Sequence, residues 1–202
     1  MTHHRGVIVL AVLMVAGSAV AYLTQLTTTP RIEAQQQALA NRTLLDVLPA
    51  GRYDNQPLDH SLLAAPVTLA HSLLLDGHLA MLAGQPTAVL LRSQAQGYEG
   101  SIELLIAIDP QGRVMAVKTL RQSETPGLGG AIADWPNTWL QAFGGTSRQL
   151  PADKDWALKK NGGQFDQLTG ATVTSRAVVQ AVHDALRYFD EHKPGLTPGG
   201  RP

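Results

Sequence analysis

The sequence predicts an α+β protein, in which one N-terminal transmembrane helix is followed by a single domain with an antiparallel sheet and flanking helices. Three observations lead to this prediction. A long apolar run near the N-terminus carries no charge, the middle of the chain alternates apolar runs with turn residues, and the last part carries an apolar stripe at helical spacing. The residues after the apolar run are numerous enough for one domain with a sizeable core.

The composition excludes several classes of function. The chain has 16 basic and 16 acidic residues and a net charge of zero, whereas nucleic-acid-binding proteins usually carry a strongly basic surface. It contains no cysteine, which excludes disulfides, thiolate zinc sites and cysteine-ligated iron–sulfur clusters within this chain. A redox function would therefore need a bound organic cofactor or a metal held by other ligands.

Residues 1–28 are predicted to anchor the chain in a membrane. A helix over 6–26 would rise roughly 31 Å, about the thickness of the hydrocarbon core of a bilayer. The positively charged flank at 3–5 keeps this end in the cytoplasm, so the domain would lie on the periplasmic side of a bacterial inner membrane. A cleaved signal peptide is the alternative, because Ala19–Ala21 resembles a cleavage site, but the apolar run is longer than that of a typical signal peptide.

Residues 29–195 are predicted to form the domain, and 196–202 a disordered tail. The domain opens with a helix over 31–48, which Pro49–Gly51 ends. A hairpin follows, with its turn at Asp76-Gly77, because this pair separates two apolar runs.

The next part of the chain continues the predicted sheet. Strands are expected over 102–108 and 114–120, joined by a turn at Asp109–Gly112. Such a meander implies an antiparallel sheet with one buried face. The glycine-rich stretch SETPGLGG then precedes a short helix that starts near Pro136 and carries Trp139, Leu140 and Phe143 on one side. A glycine-rich turn, in which the backbone is not covered by side chains, could hold a flat ligand beside aromatic residues. These residues alone, however, favour a loop that only connects two elements.

The last helix has the clearest pattern in the chain. Its apolar stripe consists of Ala177, Val178, Ala181, Val182, Ala185, Leu186 and Phe189. The residues predicted to lie largely off the stripe are Arg176, Gln180, Asp184, Arg187 and Glu191. His183 is also off the stripe and is predicted to be solvated, and Lys193–Gly195 is predicted to end the helix.

The start of this helix is the candidate functional site. It lies near Thr172 to Ser175 in the stretch GGQFDQLTGATVTSRAVVQAV. The first N–H groups of a helix lack helical partners and attract a phosphate. Thr172 and Thr174 could therefore hold a phosphate, or one of them could cap the helix, and the residues leave both possibilities open.

Other chemistry-bearing residues form no recognisable site. His71 and His78 are six residues apart, which matches no common zinc spacing. No histidine base lies beside Thr174 in the sequence. No catalytic residue and no metal ligand is therefore predicted.

The candidate site resembles a known family. The stretch GGQFDQLTGATVTSRAVV resembles the flavinylation motif of the FMN-binding domain family, of the form Ser/Thr-Gly-Ala-Thr-x-Thr or Ser. GYEGSIELLIAID and SETPGLG resemble the same family in the same order. The single anchor and the length resemble the G subunits of Rnf (or Rsx) electron-transport complexes, which are related to the C subunits of sodium-translocating NADH:quinone reductases.

The resemblance implies that FMN is joined through its phosphate to the last threonine of the motif, Thr174. A separate flavin transferase that uses FAD as donor would form this bond. The residues that match the family's cofactor-binding positions are Thr174, Thr172, Ala171, Gly170, Asp166, Glu124, Thr125, Gly127, Leu128 and Gly129. The last five are expected near the flavin ring, although Gly130-Ala131 departs from the polar residues expected next.

The function implied by the resemblance is an electron relay through covalent FMN. The chain would be one subunit of a membrane-bound ion-translocating oxidoreductase complex that couples ferredoxin–NAD redox exchange to ion movement, and it would not be catalytically complete alone. Its partners would be other membrane subunits, the flavin transferase and the membrane, with no nucleic acid. The alternatives are a periplasmic module that binds a phosphate-bearing ligand or acts as a sensor, and an assembly subunit without covalent flavin.

Overall fold

The computed structural model describes residues 45–49 and 51–196, together with Met14. The chain divides into two units, 1–43 and 44–202, and every element named below belongs to the second. The predicted anchor and most of the predicted helix over 31–48 lie outside the described residues. Among the residues that are described, no helix is long and apolar enough to cross a membrane.

In the described part of the chain, five strands form one antiparallel sheet in sequence order. Two α-helices, α1 and α2, flank the sheet. The predicted strands over 102–108 and 114–120 are confirmed as β4 and β5. The elements are β1 (Val67–Thr68), β2 (Ser72–Leu82), β3 (Gln85–Gln96), β4 (Ser101–Ile108), β5 (Val114–Arg121), α1 (Thr138–Gln141) and α2 (Thr172–Leu196).

The sheet is buried on both faces, so the prediction of one buried face is wrong. In β4, Ile102, Leu104, Ile106 and Ile108 belong to the core cluster that also contains the apolar stripe of α2. Leu105 and Ala107, on the other face, pack in a second cluster with Leu45, Val47 and Leu48. Successive side chains of a strand point to opposite faces. Residues 45–48, which precede β1, cover the face that was predicted to be exposed to solvent.

The predicted hairpin turn at Asp76-Gly77 is also wrong, because this pair lies inside β2. Gly77 pairs with Leu91 of β3, beside an irregularity between Leu74 and Asp76. The turn is formed instead by Ala83-Gly84, whose φ values are 50° and 75°. Two positive φ values are what a two-residue hairpin loop requires. At Gly77 an added Cβ would lie 3.1 Å from Leu91 Cδ2, so this glycine serves close packing within the sheet.

Helix α2 carries the predicted stripe, and all seven of its stripe residues are buried. The helix ends later than predicted, because it includes Pro194 and continues to Leu196. The side chain of Leu196 is buried in the core, and this contact favours one more turn although proline lacks the N–H that the turn would use. Residues 197–202 of the predicted tail lie outside the described residues.

Asp184 is buried, whereas the sequence pattern assigned it to the solvent side of α2. Its side chain is 4% exposed. Its Oδ2 accepts hydrogen bonds from the backbone N–H of His71 (2.7 Å) and from the hydroxyl of Ser72 (3.0 Å). A buried carboxylate is stabilised by such donors, and these two bonds tie the middle of α2 to the start of β2.

Aromatic rings pack the segment between β5 and α2 against the core. Phe143, just after α1, stacks on Phe165 with ring centroids 4.9 Å apart. Trp156 packs on Phe165 from 4.9 Å and on the ring of His183 in α2, also from 4.9 Å. The short helix predicted near Pro136 is confirmed, and Asn137 caps it by accepting a bond from Leu140 N. These contacts hold the chain that leads into α2.

His183 is half-buried, so the prediction of a solvated side chain is wrong. Its ring lies on Trp156, and its Nε2 is 2.7 Å from Asp153 Oδ1. Burial lowers the pKa of His183 below its ordinary value of 6.5, and the hydrogen bond to Asp153 opposes this shift only in part.

The lowered pKa of His183 predicts a dependence of stability on pH. The folded state favours the neutral ring, so the contribution of His183 to stability is fully present above its unfolded pKa and is lost as the pH falls through its folded pKa. Unfolding by urea at a series of pH values should show wild type losing stability toward low pH more steeply than His183→Gln. Parallel curves for the two proteins would contradict this assignment.

Candidate functional site

A cleft of about 360 Å³ lies between the start of α2 and the segment that follows β5. Its lining comes from three stretches of chain that are distant in the sequence. The lining residues are Tyr98, Glu124, Thr125, Leu128, Gly129, Gln167, Gly170, Ala171, Thr172, Val173 and Thr174. All three sequence stretches that carry the family resemblance therefore contribute to one cavity.

Thr174 is buried beside this cleft and is bonded to the opposite segment. It is 1% exposed, and Glu124 is 4% exposed. The hydroxyl of Thr174 donates a hydrogen bond to Glu124 Oε2 across fifty residues of sequence. A carboxylate that accepts a hydroxyl proton forms one of the stronger hydrogen bonds in proteins.

Glu124 is held in place by a second donor. Its Oε1 accepts a hydrogen bond from the backbone N–H of Glu99, at 3.0 Å. The carboxylate of Glu99 in turn accepts a bond from the hydroxyl of Thr125. A Cβ at Gly97 would overlap with Glu124 Oε1. The loop between β3 and β4 thus supports the carboxylate from the side away from α2.

Two glycines allow the chain to approach Thr174 closely. A Cβ at Gly129 would lie 2.6 Å from Thr174 Oγ1 and 2.9 Å from Glu124 Oε2. Gly170 has φ of 70°, in the left-handed region, and a Cβ there would lie 2.9 Å from Leu128 Cδ2. Side chains at either position would push the two walls of the cleft apart.

The first turn of α2 leaves its two threonine hydroxyls in different surroundings. Thr172 is the first residue of the helix; its hydroxyl accepts a bond from Lys160 Nζ at 2.8 Å and contacts Gln167 Oε1 at 3.3 Å. Ser175 makes the local backbone bonds, since its hydroxyl donates to Ala171 O and accepts from Leu168 N. In this structure neither threonine hydroxyl acts as the helix cap that the sequence left open.

Eight of the ten predicted site residues line the cleft, namely Thr174, Thr172, Ala171, Gly170, Glu124, Thr125, Leu128 and Gly129. Gly127 does not; it has φ of 77° and nothing within 4 Å of an added Cβ. Asp166 also lies away from the cleft lining, where its carboxylate accepts a bond from Lys159 Nζ at 2.7 Å.

Three lining residues were not predicted. Tyr98 is 73% exposed and lies in the turn between β3 and β4. Gln167 precedes the threonine motif, and Val173 lies within it, between Thr172 and Thr174. The sequence did contain a signal for Tyr98. It is an aromatic residue in the short turn GYEG, where an aromatic side chain with no core to pack against is unusual. Together with Leu128 and Val173, which are also exposed, it gives the cleft an apolar rim.

The FMN-binding domain family matches residues 97–187 of the chain. This range begins at the turn that supports Glu124 and ends within α2, so it contains every residue that lines the cleft.

Curated relatives extend the likeness over nearly the whole chain. The G subunit of the ion-translocating oxidoreductase complex of Pseudomonas aeruginosa is 43% identical over 194 residues, which are 95% of this chain and 91% of the relative. The chain belongs to the family of these G subunits. The corresponding G subunit of Shewanella loihica is 42% identical, covering 82% of this chain and 79% of the relative. That of Vibrio cholerae is 37% identical, covering 94% and 91%.

A solved structure also resembles the chain. The C subunit of the Na⁺-translocating NADH-quinone reductase from Parabacteroides distasonis is 20% identical. The match covers 64% of this chain and 65% of that chain, with a TM-score of 0.47.

The close approach at Gly129 predicts different effects for two glycine substitutions. Gly129→Ala places a Cβ against Thr174 and should lower the free energy of unfolding by about 1–3 kcal/mol through overpacking. Gly127→Ala incurs only the cost of a left-handed backbone, about 1–2 kcal/mol. NMR amide shifts of Thr174 should change in Gly129→Ala and stay nearly constant in Gly127→Ala. Equal changes in the two variants would contradict the geometry described here.

Proposed function

We propose that the chain holds FMN in the cleft at the start of α2 and joins it through its phosphate to Thr174. The observation that carries this proposal is the Thr174 hydroxyl, which lies at the cleft between the first turn of a 25-residue helix and a buried carboxylate. The family motif, whose last threonine corresponds to Thr174, supports the same residue.

The residues at the cleft fit such a group. A volume of about 360 Å³ is within the range of small-molecule sites, about 300–1,000 Å³. The first N–H groups of α2 and its macrodipole favour a phosphate. In this turn, the first N–H group to donate an α-helical bond is that of Ser175, to Ala171 O. The N–H groups before it make no such bond and could face a phosphate. Lys160, whose ammonium group bonds to Thr172, adds a positive charge at the same end.

When bound, the flavin supplies one-electron redox chemistry. The chain's own residues hold it. Thr174 would fix the phosphate, and the lack of a Cβ at Gly129 and Gly170 lets the two walls of the cleft approach each other closely. The segment 124–129 and the exposed apolar side chains of Tyr98 and Leu128 would lie next to the flavin ring.

We propose that attachment needs a separate flavin transferase that uses FAD as donor, as the family resemblance implies. Thr174 Oγ1 would bond to the flavin-side phosphorus of FAD while the bridging P–O bond breaks. AMP would leave, and the hydroxyl proton would pass to a base of the transferase or to solvent. The resulting phosphodiester links the chain to FMN without any change of oxidation state.

The name of the relatives supports a role for the chain in a larger assembly. They are subunits of an ion-translocating oxidoreductase complex, so we propose that this chain relays electrons within an Rnf-type complex that couples ferredoxin–NAD redox exchange to ion movement. The chain lacks cysteine, and electrons would therefore enter and leave through other membrane subunits. It is one part of the translocase and is not catalytically complete alone.

Peptide mapping tests the attachment site. Tryptic peptide 161–176 from protein of the native host should be heavier by one FMN less one water, with fragment ions placing the added mass on Thr174. Thr174→Ala should abolish covalent flavin and still fold, whereas flavin on Thr172→Ala should still map to Thr174. Added mass on Thr172 would move the site. Unmodified peptide throughout would favour the alternatives of a reversible phosphate-ligand module or an assembly subunit.

The proposed location is the bacterial inner membrane, with residues 1–28 as an uncleaved anchor and the domain in the periplasm. The charge-free run after Arg5 supports this topology. N-terminal sequencing of protein extracted from membranes should recover the start of the chain. A mature chain that begins near Tyr22 would instead establish a cleaved signal peptide.

A further inference from the structure

The Thr174 hydroxyl is covered in this structure. Glu124 accepts its proton on one side, and Gly129 lies so close on another that an added Cβ would be 2.6 Å away. Only 1% of the residue is exposed. Displacement at phosphorus needs the attacking oxygen in line with the leaving oxygen, and a hydroxyl that is 1% exposed and bonded to Glu124 is restricted in forming that line.

We propose that the segment 124–130 is a cover that must open before flavin can be attached, and that Glu124 is the residue that holds it closed. This inference rests on the proposed attachment of FMN to Thr174. Glu124 acts here as a positioning residue, since it controls access to the reacting hydroxyl.

Contacts within the cover favour movement as one piece. The backbone N–H groups of Leu128 and Gly130 both donate to Thr125 O, at 3.1 and 2.9 Å, so the turn is bonded to itself. Three contacts join it to the other wall: the bond from Thr174 to Glu124, the close approach of Gly129 to Thr174, and the packing of Leu128 over Gly170. Loss of the first leaves mainly an apolar contact to a partly exposed leucine.

Attachment of the flavin also removes the hydrogen bond between Thr174 and Glu124. Esterification of Thr174 removes the proton that its hydroxyl donates to Glu124. The carboxylate would then face a phosphodiester of the same sign of charge, and like charges repel strongly where water is excluded. The bond between Thr174 and Glu124 is therefore lost on attachment, and the Glu124 carboxylate must move away from Thr174.

A different role for the same carboxylate makes the opposite prediction. If Glu124 took the proton of Thr174 as the hydroxyl attacked phosphorus, it would be a general base, and such bases contribute about 10²–10⁴-fold to rate. Removing the carboxylate would then slow attachment. If Glu124 closes the cover, removing it speeds attachment.

The experiment compares rates of covalent labelling. Full-length flavin-free protein, made in a host without the transferase, is mixed with purified flavin transferase and FAD, and flavin fluorescence is read after denaturing electrophoresis. Glu124→Gln keeps the shape but loses the charge, and should raise kcat/KM for the protein substrate about threefold or more. Glu124→Ala should raise it about tenfold or more, which is the effect of losing a charged hydrogen bond on an opening equilibrium.

Asp184 provides a matched control for general destabilisation. It is also a carboxylate that is 4% exposed and accepts two hydrogen bonds, but it does not line the cleft. Asp184→Asn should leave the labelling rate at the wild-type value under conditions where urea titration shows every variant folded. If Glu124→Ala does not fold, the isosteric Glu124→Gln variant carries the test.

The outcomes separate this inference from the proposed function. Faster labelling of Glu124→Gln, with Asp184→Asn unchanged, supports the cover. Unchanged rates overturn it, slower rates assign Glu124 the role of base, and equal acceleration in Asp184→Asn shows general loosening instead. If wild type takes no flavin, or if Thr174→Ala takes as much as wild type, the proposed attachment itself is wrong.

Discussion

A buried hydrogen bond from Thr174 to Glu124 joins the first turn of α2 to the segment that follows β5. A carboxylate removed from water needs donors, since an unpaired buried charge is strongly unfavourable. Thr174 supplies one donor and the backbone of Glu99 supplies another. Three parts of the chain that are far apart in sequence must therefore meet for this one group to be stable, and the cleft lies where they meet.

The rest of the fold places the partners of that bond. The apolar stripe of α2 packs on one face of the sheet, which sets the height and rotation of the helix. Asp184 ties the middle of α2 to β2, and the aromatic stack around Phe165 holds the chain that leads into Thr172. These contacts involve residues other than those that line the cleft, and they hold the helix that carries Thr174 in place.

Periodic parts of the fold were predictable from the sequence. The apolar run of β4 ends at the turn residues Asp109–Gly112, and the helical spacing of apolar residues in α2 arises from burial of one side of that helix, so both elements are visible in the residue pattern. The hairpin turn predicted at Asp76-Gly77 was wrong because the preference of this pair for a turn is a local property. The role of Gly77 in the structure depends instead on the close approach of Leu91 from the neighbouring strand. Asp184 misled for a similar reason, since its donors lie more than a hundred residues away.

The candidate site was predictable as two segments but not as one contact. The motif around Thr174 and the stretch SETPGLG were recognised separately, and no local base for the threonine could be found. The fold brings Glu124 to Thr174 over a separation of 50 residues. Residue spacing carries no signal for such a pair, because only the order of the strands and the packing of α2 determine which loops meet.

Phosphorus NMR of the unfolded, acid-washed protein tests the central claim, that FMN is bound to Thr174 as a phosphodiester, most directly. A phosphomonoester has a second pKa of about 6, so its resonance moves between about pH 5 and about pH 8, whereas a phosphodiester lacks that ionisation. The account predicts one resonance per chain that does not move with pH and is missing from Thr174→Ala. A resonance that titrates, one that persists in Thr174→Ala, or no retained phosphorus would contradict it.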